Sequence, residues 1–186
     1  MFATKRLVLR KWLESDVNAF VAMNSDPQVM EYFPATLTRE ETLAMVSRIQ
    51  NHFDRNGFGL WAVELPERDP FIGFVGLQIP RFAAPFMPCV EVGWRLTPSC
   101  WGQGYATEAA LKALQIGFEE YGLEEIVSMT AVVNRRSRRV MEKIGMSYSA
   151  SDDFLHPKVP AGSVVQPHVL YRITAHQFRA NLKGSS

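Results

Sequence analysis

Cysteine is scarce in this chain. Only Cys89 and Cys100 occur, too few for a disulfide framework and not spaced as metal ligands. No run of about eighteen apolar residues is present, which excludes a predicted membrane-spanning helix. The opening residues, Met1 to Leu7, pass at once into an alternating pattern without the apolar core of an export signal. A reducing, cytoplasmic setting is therefore expected. An excess of one charge is missing as well. The 20 Lys and Arg against 19 Asp and Glu leave a net +1, which gives no general reason to expect nucleic-acid or membrane binding. Internal repeats, linkers and low-complexity tracts are also lacking.

What remains is the balance of a globular protein with a core: 186 residues, 47% apolar and 21% charged. One domain over 1–186 is expected, with a core from 5 to 175 and a C-terminal tail over 176–186.

The spacing predicts a first strand within 5–12, then a helix capped by Ser15 with Val17, Phe20 and Val21 on its apolar side, stopped at Asp26-Pro27. Thr38-Arg39-Glu40-Glu41 is a capping box. The helix it opens carries Leu43, Val46, Ile49 and Phe53 and ends at Asn56-Gly57. Runs 58–65 and 71–79 are rich in β-formers and separated by Pro66–Pro70, a hairpin pattern. A strand over 89–96 leads through a glycine-bearing loop to a helix with Ala110, Leu114, Phe118 and Tyr121 on one face, ending at Gly122. Strand 126–133, a short helix 135–144 and strands 146–150 and 168–174 complete the order, the last a candidate sheet edge open to another chain. Strands flanking single helices imply an α+β domain, a mixed sheet with helices on both faces.

The informative segment is Leu96-Thr97-Pro98-Ser99-Cys100-Trp101-Gly102-Gln103-Gly104-Tyr105-Ala106-Thr107-Glu108, between a strand and a helix. Two glycines and Ala106 allow a ligand close to the backbone. The unpaired first amides of the helix, with its dipole, suit a pyrophosphate. The segment is not a dinucleotide fingerprint, because Thr107 stands where a third Gly or Ala belongs, and no Gly-Lys-Ser/Thr of a P-loop follows.

The wider context resembles the GCN5-related N-acetyltransferase (GNAT) superfamily. Its pyrophosphate motif, Gln/Arg-x-x-Gly-x-Gly/Ala, fits Trp101–Ala106 except at the first position. Trp-Gly-Gln-Gly-Tyr-Ala-Thr-Glu-Ala is similar to the ribosomal-protein-alanine acetyltransferase (RimJ/RimL-like) branch. So is Asn134-x-x-Ser137 followed by Val140-Met141-Glu142-Lys143-Ile144-Gly145-Met146. The resemblance covers the chain, most specifically 91–146. It implies a mixed, mostly antiparallel sheet of about seven strands, with a V-shaped cleft between the fourth and fifth, here 89–96 and 126–133. It also implies acetyl-CoA as cosubstrate, no metal, and transfer of the acetyl group to a primary amine by direct attack in a ternary complex.

The resemblance assigns roles residue by residue. Backbone groups of Arg95 and Leu96 would pair with the pantetheine arm. Amides of Gly102, Gln103, Gly104, Tyr105, Ala106 and Thr107 would hold the pyrophosphate. Asn134, which also suits the N-cap of its helix, would touch the cofactor arm. Many relatives carry a Tyr seven residues after this Asn. Here Met141 stands there and cannot donate a proton; the resemblance to the ribosomal branch instead implies the Ser of Asn-x-x-Ser, Ser137, as donor to the leaving thiolate.

An amine with a pKa near ~10.4 must lose a proton before attack. Glu91, on the strand beside the cleft, is the first candidate base, with His168 second and His156 behind it. Of the run Arg135, Arg136, Arg138 and Arg139, the residues 135, 138 and 139 share a side. They form either a solvated face or a contact for the 3′-phosphate of CoA, with Arg138 central, or a thin nucleic-acid patch. Cys89 and Cys100 read as structural, since no base is paired with either. The aromatic segments 30–33 and 80–88, with Phe82, Phe86 and Met87, would frame the acceptor cleft. The acceptor is either a protein or peptide N-terminus or a small-molecule amine, and monomer and homodimer both stay open. A non-catalytic acetyl-CoA sensor is the alternative.

Overall fold

The structure, a computed structural model, describes residues 1–184. Strands β1 (Phe2–Ala3) and β2 (Val8–Arg10) lead to helices α1 (Asp16–Ser25) and α2 (Arg39–Asn56). Strands β3 (Leu60–Leu65), β4 (Asp69–Gln78) and β5 (Glu91–Leu96) follow, then α3 (Tyr105–Glu119), β6 (Glu125–Ala131) and α4 (Arg135–Lys143). Short strands β7 (Ser147–Tyr148) and β8 (Phe154–Leu155), the long β9 (Pro167–Thr174) and helix α5 (Ala175–Gly184) complete the chain. The sheet runs β1-β2-β3-β4-β5-β6-β9-β7, with β8 also on β9. Every pairing is antiparallel except β5 with β6. No helix among the described residues is long and apolar enough to cross a membrane.

The two faces are covered by different means. On one, α1 and α2 bring Phe20, Val46, Ile49 and Phe53 against an aromatic cluster. Trp12 and Phe20 rings there stand 4.8 Å apart, and Phe20 and Phe74 meet edge-on at 5.9 Å. On the other, α3 presents Ala109, Ala110 and Ala113, all fully buried, and these small side chains let the helix lie close over β4 and β5. Helix α5 occupies most of the segment read from sequence as a tail, and buries Phe178 against Phe118.

The capping box stands as expected. The Thr38 amide donates to Glu41 Oε2 at 2.8 Å, and the Glu41 amide to Thr38 Oγ1 at 3.2 Å. The entry to α1 differs. Ser15 makes no capping bond. Asp16 fixes this end instead, accepting the Leu13 amide at 2.8 Å and pairing with the buried Arg10 at 2.7 Å. Nor is 168–174 an edge, since β9 has β6 on one side and β7 and β8 on the other. The chain after α4 folds back as two short strands and covers it.

Candidate active site

Strands β5 and β6 meet at one ladder pair only, Glu91 with Val127. The Val127 amide bonds the Val90 carbonyl at 2.9 Å, and Ser128 Oγ bonds the Val92 carbonyl at 2.9 Å. Beyond these the strands part, and a cavity of about 950 Å³ opens through the wedge. The carbonyls of Val90 and Val92 point toward β6, whereas the Thr97 amide points toward β4, where it bonds Ile72 O at 2.9 Å. Strand alternation then turns the main chain of Trp94 and Leu96 toward the wedge and that of Arg95 toward β4, opposite Phe74. The Arg95 backbone is thus not available to a strand-like arm, and Trp94 takes its place.

At the wide end lies the glycine-bearing turn. Gly102 and Gly104 have φ of 73° and 80°, a left-handed conformation that disfavours side chains. The Glu108 amide is the first in α3 to bond back, to Gly104 O at 3.0 Å. The amides of Tyr105, Ala106 and Thr107 have no intrahelical partner, and these residues line the cavity. The turn is braced from both sides. Trp101 Nε1 donates to Leu96 O at 2.8 Å, while Glu108 accepts Arg6 Nε at 2.7 Å and Thr4 Oγ1 at 2.6 Å. Arg6 also donates to Gln103 O at 2.9 Å and lies over the Tyr105 ring at 4.5 Å. The Gln103 side chain is turned out of the cavity and closes the loop on Ser99 O at 2.8 Å.

Helix α4 forms the opposite wall. Asn134 caps it, accepting the Ser137 amide at 3.1 Å and donating to Thr130 Oγ1 at 2.9 Å, so both ends of its amide are engaged. Ser137 Oγ accepts Trp94 Nε1 at 3.2 Å. With that lone pair taken, the hydroxyl proton is free to point into the wedge. Arg138 faces elsewhere. Its Nη1 donates to Val132 O at 3.3 Å, its Nε lies 3.5 Å from Tyr171 Oη, and it covers the Tyr148 ring at 5.5 Å. Helical phase puts Arg135, Arg139 and Lys143 on the cavity side in its stead. Arg136 pairs with Glu31 at 2.6 Å and stacks on Trp101 at 4.4 Å.

Among the described residues Glu91 is the one carboxylate lining the cavity. Gln78, its cross-strand neighbour, donates to Glu91 Oε2 at 2.8 Å. Burial raises the Glu91 pKa to about 7, against the lowering effect of the Gln78 and Met129 hydrogen bonds. His156 and His168 also line the cavity, with ring centroids 4.8 Å apart. Burial lowers both, His156 to about 4, so each is neutral at pH 7. His168 Nδ1 lies 3.0 Å from Gln166 O. Of the loop aromatics, Tyr32, Phe33 and Phe82 reach the cavity, while Phe86 packs on Phe154 at 4.9 Å. Burial pushes the Cys89 thiol up to about 11, which suits a structural residue.

Sequence reasoning missed Trp94, Gln78 and the Arg6–Glu108 brace. Each depends on a partner distant in sequence, Ser137 on α4 for Trp94, Glu91 across the strand pair for Gln78 and the N-terminal segment for the brace. The geometry brings the unpaired first amides of α3, the Ser137 hydroxyl and the Glu91 carboxylate to one cavity.

A sequence profile for the family described as "Acetyltransferase (GNAT) domain" matches residues 6–147. The Bacillus subtilis protein named "Uncharacterized N-acetyltransferase YnaD" is 30% identical over 94% of this chain and 97% of its own. The Aspergillus fumigatus "FsC-acetyl coenzyme A-N(2)-transacetylase" is 31% identical over 88% of this chain and 71% of its own. Among solved structures, a Bacillus anthracis acetyltransferase of the GNAT family superposes with a TM-score of 0.76 at 29% identity, covering 94% of this chain and 98% of that one.

Proposed function

The chain belongs to the GNAT acetyltransferase domain family, and from that premise we propose that it transfers an acetyl group from acetyl-CoA to a primary amine by direct attack in a ternary complex. The observation that carries this reading is the alignment, along one wedge, of the free α3 amides, the Ser137 hydroxyl and Glu91. The family uses acetyl-CoA, and the Aspergillus relative is named for it.

The residues present fit that molecule. No atom lies within 4 Å of where a Cβ would stand on Gly102, so the backbone there is approachable. The main chain of Trp94 and Leu96 would pair with the pantetheine arm. Gly102, Gly104 and the amides of Tyr105, Ala106 and Thr107 would hold the pyrophosphate. Arg135, Arg139 and Lys143 supply cationic charge for the 3′-phosphate. Bound there, acetyl-CoA supplies an acyl carbon activated by a thiolate leaving group.

Glu91 takes the proton from the acceptor amine, directly or through water. Ser137 donates its hydroxyl proton's hydrogen bond to the departing sulfur, while the Trp94 indole fixes its oxygen. A thiolate with a pKa near ~8.5 leaves readily, so this donor is worth less than the base. Ser137→Ala should lower kcat by about tenfold to a hundredfold, with the acetyl-CoA Kd unchanged. Equal turnover by this variant would remove Ser137 from the reaction. The Trp101–Ala109 wording and the Asn134-to-Ser137 spacing favour the ribosomal-protein-alanine branch, and a protein or peptide N-terminus as well as a small amine suits its reaction.

Calorimetric titration with acetyl-CoA tests the site. Gly104→Glu adds a negative charge to the loop proposed for the pyrophosphate and forces a side chain onto a left-handed backbone beside Arg6. It should weaken binding at least about tenfold, one charge–dipole term reversed. Binding that survives unchanged would move the cofactor elsewhere. A non-catalytic sensor would bind equally well yet cleave no thioester in the presence of amines, so turnover decides between the two.

A further inference from the structure

Arg95 is a guanidinium with no acidic partner among the described residues. It projects from β5 on the face it shares with Glu91 and Gly93, away from Trp94 and Ser137. Its Nη1 donates to Asn24 Oδ1 at 2.5 Å, and its carbon lies 4.2 Å from the Phe33 ring centre and 5.5 Å from that of Phe74. Among the described residues it is in no ion pair, and its Nε is closed from solvent without a hydrogen-bond partner. Burial lowers its pKa to about 10, so it stays charged at neutral pH. A buried cation left unmatched is costly. Asn24 occupies one corner of the fork. With Nε closed off and Nη1 on Asn24, Nη2 is the donor left for an incoming carboxylate.

The surroundings agree. Gly93, between Glu91 and Arg95 on that face, has nothing within 4 Å of where a Cβ would stand. An open slot therefore runs from the carboxylate of Glu91 to the guanidinium. Away from α3 and α4, the charged residues lining the cavity are Arg48, Arg81, Arg95 and Lys158 against the single acid Glu91. None of those four cations is in an ion pair among the described residues. Such a chamber repels polyamines and attracts an anionic group.

We propose that the acceptor is an amino carboxylate, its carboxylate on Nη2 of Arg95 and its amine over Gly93 toward Glu91. This rests on the acetyltransferase reading above. Gly93 and Arg95 are two residue steps apart, roughly 7 Å along β5, which sets the amine a few bonds from the carboxylate. A free amino acid or the two ends of a very short peptide meet that condition.

The test compares initial rates on free L-amino acids, their C-terminal amides and spermidine, alongside calorimetry with acetyl-CoA. The wild type should favour an acid over its amide at least tenfold in kcat/KM. Arg95→Met should bring that ratio to near one by raising KM for the acid, with little change in kcat on the amide or in the acetyl-CoA Kd. Arg95→Lys should restore part of the preference. A wild-type preference for amides or spermidine, acetyl-CoA binding with no acid acetylated, or an acid preference that persists in Arg95→Met would each overturn the proposal while leaving an acetyltransferase. Failure to bind acetyl-CoA would instead remove the acetyltransferase reading itself. The wild-type ratio needs no variant, so poor folding of Arg95→Met does not rescue the idea.

Discussion

Glu91→Gln should lower kcat/KM by about 10² to 10⁴, the range for losing a positioned general base, and should erase an inflection near pH 7. Glu91 has a pKa raised to about 7 by burial. A base acts deprotonated, so wild-type activity should fall as pH drops through 7 and level off above it, apart from the separate titration of the acceptor amine. In the Gln variant only the amine's own titration should remain. The stability effect has the opposite sense. Between the ordinary carboxyl value near ~4.3 and 7, the folded protein holds a proton that the unfolded chain has lost. Glu91 therefore destabilises the fold as pH rises through that window. The Gln side chain avoids this, so thermal unfolding at pH 8 should show the variant at least as stable as wild type. Lost activity with kept stability marks a functional carboxylate. An inflection that survives in Glu91→Gln would remove Glu91 from the base role.

How far the sequence disclosed this site follows from the range of the interactions involved. The capping box at Thr38 and the Asn134 cap that holds Ser137 are set within four residues, and both form as read. The glycine turn before α3 is equally local, since its conformation is written in Gly102 and Gly104. Helical phase was harder. The cluster 135–139 is plainly basic, but only packing of α4 against β6 decides that Arg138 turns to Tyr171 while Arg139 faces the cavity. Cross-strand neighbours were not legible at all. Gln78 lies beside Glu91 because β4 and β5 pair in one register, and Asn24 reaches Arg95 only because α1 crosses that face. The expectation that 168–174 forms an edge failed for the same reason. The strands that cover it are two residues each, too short to carry a periodic pattern.

Gly73→Ala should cost roughly 2–6 kcal/mol, combining a strained backbone with an overpacked contact at about 1–3 kcal/mol each. Gly73 sits on β4 with φ of 132°, outside the regions that residues with a side chain adopt freely. A Cβ there would overlap the Arg95 carbonyl oxygen and stand 2.8 Å from Leu96 Cα. Both obstacles are backbone, so neither can swing aside. The bare glycine lets β5 lean onto β4 at the residues where it leaves β6, and that lean holds the wedge open. For a chain of this size the loss corresponds to a fall in Tm of roughly 4–24 °C, at about 2–4 °C per kcal/mol, readable by calorimetry or circular dichroism. Acetyl-CoA affinity measured well below the new Tm should fall too, because relief of the overlap displaces the Trp94–Leu96 main chain. A variant as stable as wild type would mean that β4 and β5 do not meet in this register, and the positions inferred for Glu91, Gly93 and Arg95 along the slot would fall with it.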